Sequence, residues 1–443
     1  MKRKMCHLLA FTTLTLLILF VSVPTIFAKI STISNGATTV SELCKELGSA
    51  LYNKITENLG TIDPANSLIL CNAEYLISSG YSLYPVLTPF INAGFHPLYS
   101  LIPVHSPFYS NLWIFAYRDD THKATYIEVD KEIVDEAVRG VIGGRSVKEA
   151  VSDILNRGIV KESIFTIDLE KMITKGKEDP EAVWSALEEN TSKTNAFSIS
   201  TITTMWKHRA PHEVLLAGVL HNHICPGLVS GILMINYLTK MGYIGPNTKI
   251  YILASPVWCK DDAFIQLLDA TPGKRRMVVK LLTKEEENML KEKFGADVAG
   301  IVFVMMPDKT GKAYIMAFNW DKACELANIE RKMFKGKYWW WTRVVMNLKL
   351  LEYLEKPEEL VSIVKTMEVK GYIGRYPQIY YNASLAGADP YVVTELISKI
   401  TETPSTTTTP SKVPELTSII LIVCVIIIIA LAAALAYLYT KRK

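Results

Sequence analysis

A chain of 443 residues has room for two ordinary domains, and its 48 Lys and Arg against 44 Asp and Glu leave a net charge of only +4. The two signs are interspersed, so no basic stripe suited to nucleic acid exists and that partner is discounted. Seven cysteines, two of them in terminal apolar runs, are too sparse for a disulfide scaffold.

The chain opens with Lys2, Arg3 and Lys4, an apolar run from Leu8 to Val23 and a small residue, Ala28. This is the layout of a secretory signal over residues 1–28, which would send the rest of the chain out of the cytoplasm. Residues 29–200 then read as one α+β domain. An apolar-periodic helix contains Cys44 to Ala50, a turn covers Leu59 to Pro64, and Ser67 to Cys71 is strand-like. Asp119 to Ala124 is the turn of a hairpin, and Asp179-Pro180 starts a helix.

Residues 201–400 repeat this order. Cys225-Pro226-Gly227 opens a helix, Met241 to Pro246 is a turn, and Ile250 to Ala254 is a strand. Asp308 to Ala313 is again a hairpin turn, and Lys356-Pro357 again starts a helix. The fold class expected is therefore α+β, as two related domains from a degenerate tandem duplication, packed as an internal pseudo-dimer. Residues 401–415 form a Thr/Pro-rich stalk. Leu416 to Tyr439 carries no charge and is long enough to span a bilayer as one C-terminal transmembrane helix over 416–440, and the basic tail 441–443 favours the cytoplasmic side. The expected location is a single-pass membrane protein with its body outside. Asn190 and Asn382 sit in glycosylation triplets.

Chemistry concentrates in His221-Asn222-His223-Ile224-Cys225-Pro226-Gly227, with two imidazoles and a thiol in five residues. If this segment is extended, His221, His223 and Cys225 share one face. A helix beginning at Pro226 would place Cys225 at its N-terminus, where free N–H groups favour thiolate. On that face all three could reach one zinc-like ion, and Cys259 lies at a strand-to-helix junction, the kind of place where sites are built. One imidazole could instead stand behind the other. A Cys225–Cys259 disulfide is the rival reading. Asp261 and Asp262 either cap the following helix or hold an imidazole, and Lys274 with Arg275 and Arg276 forms a solvated turn or an anion contact. The block Trp339-Trp340-Trp341 clasps a small-molecule ligand, touches a membrane or fills the core.

These motifs resemble the FmdE-like domain family of formylmethanofuran dehydrogenase: the His-x-His-x-Cys-Pro-Gly opening, Cys259-Lys260-Asp261-Asp262-Ala263 with Gln266, and Thr271-Pro272-Gly273-Lys274, in that order. The resemblance covers Ala210 to Leu326. Ala270 stands where the family's turn carries a cysteine, an extra residue precedes Gln266, and no Cys-x-x-Cys occurs in the chain. The resemblance implies an α+β core, a metal site formed by His221, His223, Cys225 and Cys259 and usually occupied by zinc, or another divalent transition metal, and dimeric association. Two functions fit: binding of a metal or metal-containing ligand, or a metal-dependent hydrolase in which His221 or Asp262 serves as general acid or base. Thiol redox chemistry between Cys225 and Cys259 is a third.

Overall fold

The computed structural model describes residues 36–395, so the signal, stalk, transmembrane and tail segments expected from the sequence lie outside the described residues. Among the described residues no helix is long and apolar enough to cross a membrane.

Two five-stranded sheets organise the chain, as the α+β expectation requires. The first runs in the spatial order Leu101–Pro103, Ser67–Cys71, Leu112–Arg118, Lys123–Val129, Ile159–Thr166. The second runs Met277–Val279, Lys249–Ala254, Val298–Met305, Gly311–Phe318, Val361–Val369. In each sheet the first pair is parallel and the other three are antiparallel. Strand order, sense and sequence order therefore agree between the sheets.

Strand alternation places successive side chains on opposite faces, and both faces of the first sheet are buried. Ile69, Cys71, Ile114 and Ala116 pack under the helix over residues 36–59 and the helix Lys131–Ile142, through Leu47, Leu51, Val134 and Val138. Leu68, Leu70, Phe115 and Tyr117 face the other way. They enter an apolar interior that also takes Ile250, Ile252 and Val302 of the second sheet. Between lie the helices Ala196–Lys207, His212–His221, Pro226–Lys240 and Trp339–Leu351.

One expectation is corrected. Pro180 does start a helix, Pro180–Asn190, but Pro357 starts only the short turn Pro357–Glu359. The chain then enters the strand Val361–Val369, because Val361, Ile363 and Val364 gain more by pairing with Gly311–Phe318 than a helix of β-branched residues would. Of the three readings of the tryptophan block, core filling is the one the structure takes. The tryptophans start a helix, whose rotation spreads them: Trp340 and Trp341 are buried, and their indole N–H groups donate to Pro180 O at 2.9 Å and Ile173 O at 2.7 Å. Trp339 is half-buried with its ring 4.9 Å from that of Trp184.

Candidate metal centre

The site forms where two helices are broken and rejoined. His212–His221 ends because Asn222 adopts the left-handed conformation (φ 57°), which Asn tolerates better than most residues. Cys225 is then extended (φ −129°, ψ 163°) and caps the helix Pro226–Lys240, whose first residue is proline. The segment is thus not extended throughout. His221 is the last residue of one helix and Cys225 the cap of the next, and the turn between them brings Nε2 of His221 to 3.7 Å from Sγ of Cys225. The same turn sends His223 elsewhere.

Cys259 arrives from the second sheet. It caps the helix Lys260–Leu268, which lies against Pro226–Lys240 at two glycines. A Cβ on Gly227 would meet Cys259 Cβ at 3.0 Å and Sγ at 3.3 Å, and one on Gly231 would meet the Lys260 carbonyl oxygen at 2.6 Å. Close approach therefore requires the glycines. Below Cys259, the fully buried Lys260 ammonium donates to both carboxylate oxygens of Asp261 and to Pro256 O, and sits 4.0 Å from the centre of the Trp258 ring. Asp261 also accepts from Trp258 N at 3.0 Å. The two neighbouring aspartates divide the roles expected of them: Asp261 fixes the backbone, whereas Asp262 Oδ2 lies 2.6 Å from His221 Nδ1.

The result is a cluster in which ligand atoms of His221, Cys225 and Cys259 all lie within 4.8 Å of one another. Zinc bonds of about 2.3 Å to sulfur and 2.0–2.1 Å to nitrogen put tetrahedral ligand atoms roughly 3.3–3.8 Å apart, so the 3.7 Å between sulfur and imidazole is already of that size. With Nδ1 committed to Asp262, Nε2 is the nitrogen directed at the sulfurs. The donor set fits a zinc-like ion. Cys225 and Cys259 are both free cysteines, so the rival disulfide is not formed.

His223 is not brought into this set. Its ring lies 4.2 Å from that of His221 and 4.8 Å from that of Phe197, and Nδ1 is 2.9 Å from Asn222 Oδ1. Burial, followed by the charges of His221 and Arg343, pushes its pKa down to about 3, so it stands as a neutral ring behind the first imidazole. Lys274 is likewise apart. It is exposed and pairs with Asp269 at the end of a turn capped by Thr271.

Charge within the cluster departs from expectation in one respect. Backbone N–H groups of Gly227 and Leu228 do favour a negative Cys225 sulfur, yet the hydrogen bond that this thiol makes to Cys259 and its own burial outweigh them and raise its pKa. Cys259 is the thiolate. The hydrogen bond from Cys225 lowers its pKa against the opposing effect of burial, and His221 lowers it further. For His221, burial favours the neutral ring, but Asp262 and the Cys259 thiolate prevail and raise it to about 9. At neutral pH the site holds an imidazolium, a thiolate and a thiol.

Metal uptake must therefore displace protons. At pH 7 the expected release is about two per ion, one from His221 and one from Cys225, so affinity falls on acidification and climbs with pH, less steeply above about 9, where the Cys225 proton alone is left to displace. Calorimetry of zinc binding in buffers of different ionisation enthalpy counts these protons directly. A release near zero would contradict the assignment.

Several residues that shape the site carried no motif. The backbone N–H of Ile224 donates to Thr201 Oγ1 at 3.1 Å, and its carbonyl accepts from Asn347 Nδ2 at 2.6 Å. Phe197 packs against His223, and the charge of Arg343 acts on it. None has a local pattern, because each reaches the site from a helix remote in sequence.

Fold and site together define a sheet-based α+β domain with a Cys/Cys/His cluster at the seam of two helices. Residues 220–367, about a third of the chain, match the family described as FmdE, Molybdenum formylmethanofuran dehydrogenase operon. The resemblance read from the motifs is thereby shown for the second half. No curated protein matches the chain.

Proposed function

We propose that this is a membrane-anchored, extracytoplasmic protein that binds a zinc-like divalent metal ion, or a small molecule containing one, through His221, Cys225 and Cys259. The observation that carries the reading is the convergence of the three donors, with His221 buttressed from behind by Asp262. When bound, such an ion supplies Lewis acidity and a further position for an exogenous ligand. The residues of the chain hold it, orient it and, through His223, Phe197 and Trp339, pack one side of the cluster with aromatic rings.

A hydrolase would assign proton transfer to His221 or Asp262. Those two groups are occupied with each other at 2.6 Å, which favours binding over turnover. The neighbouring thiols favour redox chemistry as a second reading, and thiol titration with and without a chelator separates it from metal binding.

The second half is the metal-binding copy of a tandem duplication, and the first supplies an interface in an internal pseudo-dimer. The shared strand order supports this. So does the helix over residues 36–59, whose Gly48 contacts Val86 and Pro89 as Gly231 contacts Lys260 and Ala263. That pairing of glycines sets Cys44 opposite Gly227, and the first-half helix runs on without the break that builds the cluster. The basic-apolar start and the uncharged run Leu416 to Tyr439 support export and anchoring. Protease digestion of intact cells should remove the body and spare the tail.

The deciding measurement is elemental analysis of the full chain purified in detergent. About one equivalent of metal per chain is expected, with loss of essentially all of it in Cys225→Ser. Full retention in the variant would defeat the proposal.

A further inference from the structure

We infer that the first half of the molecule sets the geometry of the metal site through the helix Ala196–Lys207, with Thr201 as the positioning residue and Asn347 as its counterpart from the opposite side. The inference rests on the metal-binding reading and concerns how the chain keeps that site in shape.

Only three residues, Asn222 to Ile224, join the helix that ends at His221 to the helix capped by Cys225. The distance between the imidazole and the sulfur therefore depends on the conformation of this short connection. At its last residue, Ile224, both backbone groups leave the local chain for side chains of other helices. The N–H goes to Thr201 Oγ1 and the carbonyl takes Asn347 Nδ2. Thr201 and Asn347 are each 0% exposed, so water cannot replace either bond without opening the interior.

Thr201 is suited to this in a way that valine, of equal shape, is not. Its hydroxyl donates to Phe197 O at 2.8 Å, one turn back in its own helix, which leaves a lone pair for the Ile224 N–H. Phe197, on the same helix face four residues earlier, presses its ring on His223. One helix thus touches two consecutive residues of the connection. Asn347 has its Oδ1 buried without a partner among the described residues, a cost of a kind that is retained where the amide has a specific task.

The far end of this helix is fastened to the first half. The Trp206 indole N–H donates to Tyr99 O, and its ring meets the edge of Tyr117, a residue of the first sheet, at 6.3 Å. Thr201 itself lies outside residues 220–367, so the support comes from beyond the segment that matches the family. Ile224 is finally seated against Gly218, where any Cβ would lie 2.7 Å from Ile224 Cγ1. The connection is held on three sides, and two of the three holds are single hydrogen bonds that substitution can cut.

The test is titration of the full chain in detergent with cobalt(II), following the thiolate charge-transfer and ligand-field bands and competing with a chelator to obtain affinity. Thr201→Val should keep the circular dichroism of the parent, bind cobalt at least about tenfold more weakly and show altered bands, and Thr201→Ser should restore both, as loss of a bond that orients a metal ligand's support typically costs ten- to a hundredfold. Binding within about twofold of the parent with identical bands would overturn the inference, since a positioning loss of the usual size would be missing. Failure of Thr201→Ser to rescue would do the same. Should Thr201→Val not fold, Asn347→Ala decides by the same two readouts. A parent that takes up no cobalt defeats the metal reading itself, and this inference with it, whereas a parent that binds and variants that bind alike defeat this inference alone.

Discussion

Gly231→Val is expected to unfold the protein at markedly lower urea and to abolish tight metal binding in whatever remains folded. The Cβ alone would stand 2.6 Å from the carbonyl oxygen of Lys260, 2.8 Å from its Cα and 3.0 Å from Cβ of Ala263. The first two are backbone atoms of the neighbouring helix and cannot swing aside. Overpacking of this kind costs about 1–3 kcal/mol, and the extra methyls of valine place the variant near about 3 kcal/mol, with no helix-propensity gain large enough to offset it. The functional loss has the same origin: the helix that must retreat is the one capped by Cys259, so its sulfur moves off Cys225. Gly227→Ala makes the milder comparison. There the new atom presses on Cys259 itself, at 3.0 Å from Cβ and 3.3 Å from Sγ, so metal affinity should fall with little change in the urea midpoint. If Gly231→Val matched the parent in both respects, the close contact between the two helices would be wrong.

Trp340→Ala should bring the largest loss of stability, about 3–5 kcal/mol, read as a fall in the denaturation midpoint. Its indole is 1% exposed, donates to Pro180 O at 2.9 Å and lies 2.6 Å from where a Cβ on Gly176 would sit. Removal leaves a cavity and an unpaired carbonyl together. Trp340→Phe keeps most of the volume and should lose only about 1–2 kcal/mol, the hydrogen bond and the smaller ring. Neither change touches His221, Cys225 or Cys259, so metal stoichiometry in the folded fraction should stay at the parent value. A loss below about 1 kcal/mol for Trp340→Ala would show that the block is not the brace it looks to be.

Much of the site was legible in the sequence because its donors are rare residue types gathered in short motifs. His221 and Cys225 could be named from their chemistry alone, and Cys259 from the resemblance that its motif carries. Legibility stopped where a backbone dihedral decided the outcome. Asn222 in the left-handed region turns His223 from the cluster toward Phe197, and nothing in the alternation of residues announces that turn. Which sulfur carries the negative charge was also hidden, since helix position favours Cys225 whereas its hydrogen bond to Cys259 and its burial decide otherwise. For the fold, the paired hairpins and strands were visible through turn chemistry and apolar runs. Lys356-Pro357 misled because proline opens a helix and a tight turn equally well, and only the strand partner at Gly311–Phe318 settles which. Thr201 and Asn347 left no trace, as a side chain that bonds remote backbone needs no particular neighbours in sequence.

One apolar interior serves both sheets, and this bears on how the chain can be divided. Leu68 and Phe115 from one sheet and Ile252 and Val302 from the other belong to a single continuous mass with the helices between them. Cutting the chain between the sheets would expose to water, on either piece, the oily lining that the other now covers, so each piece alone would tend to associate rather than stay dispersed.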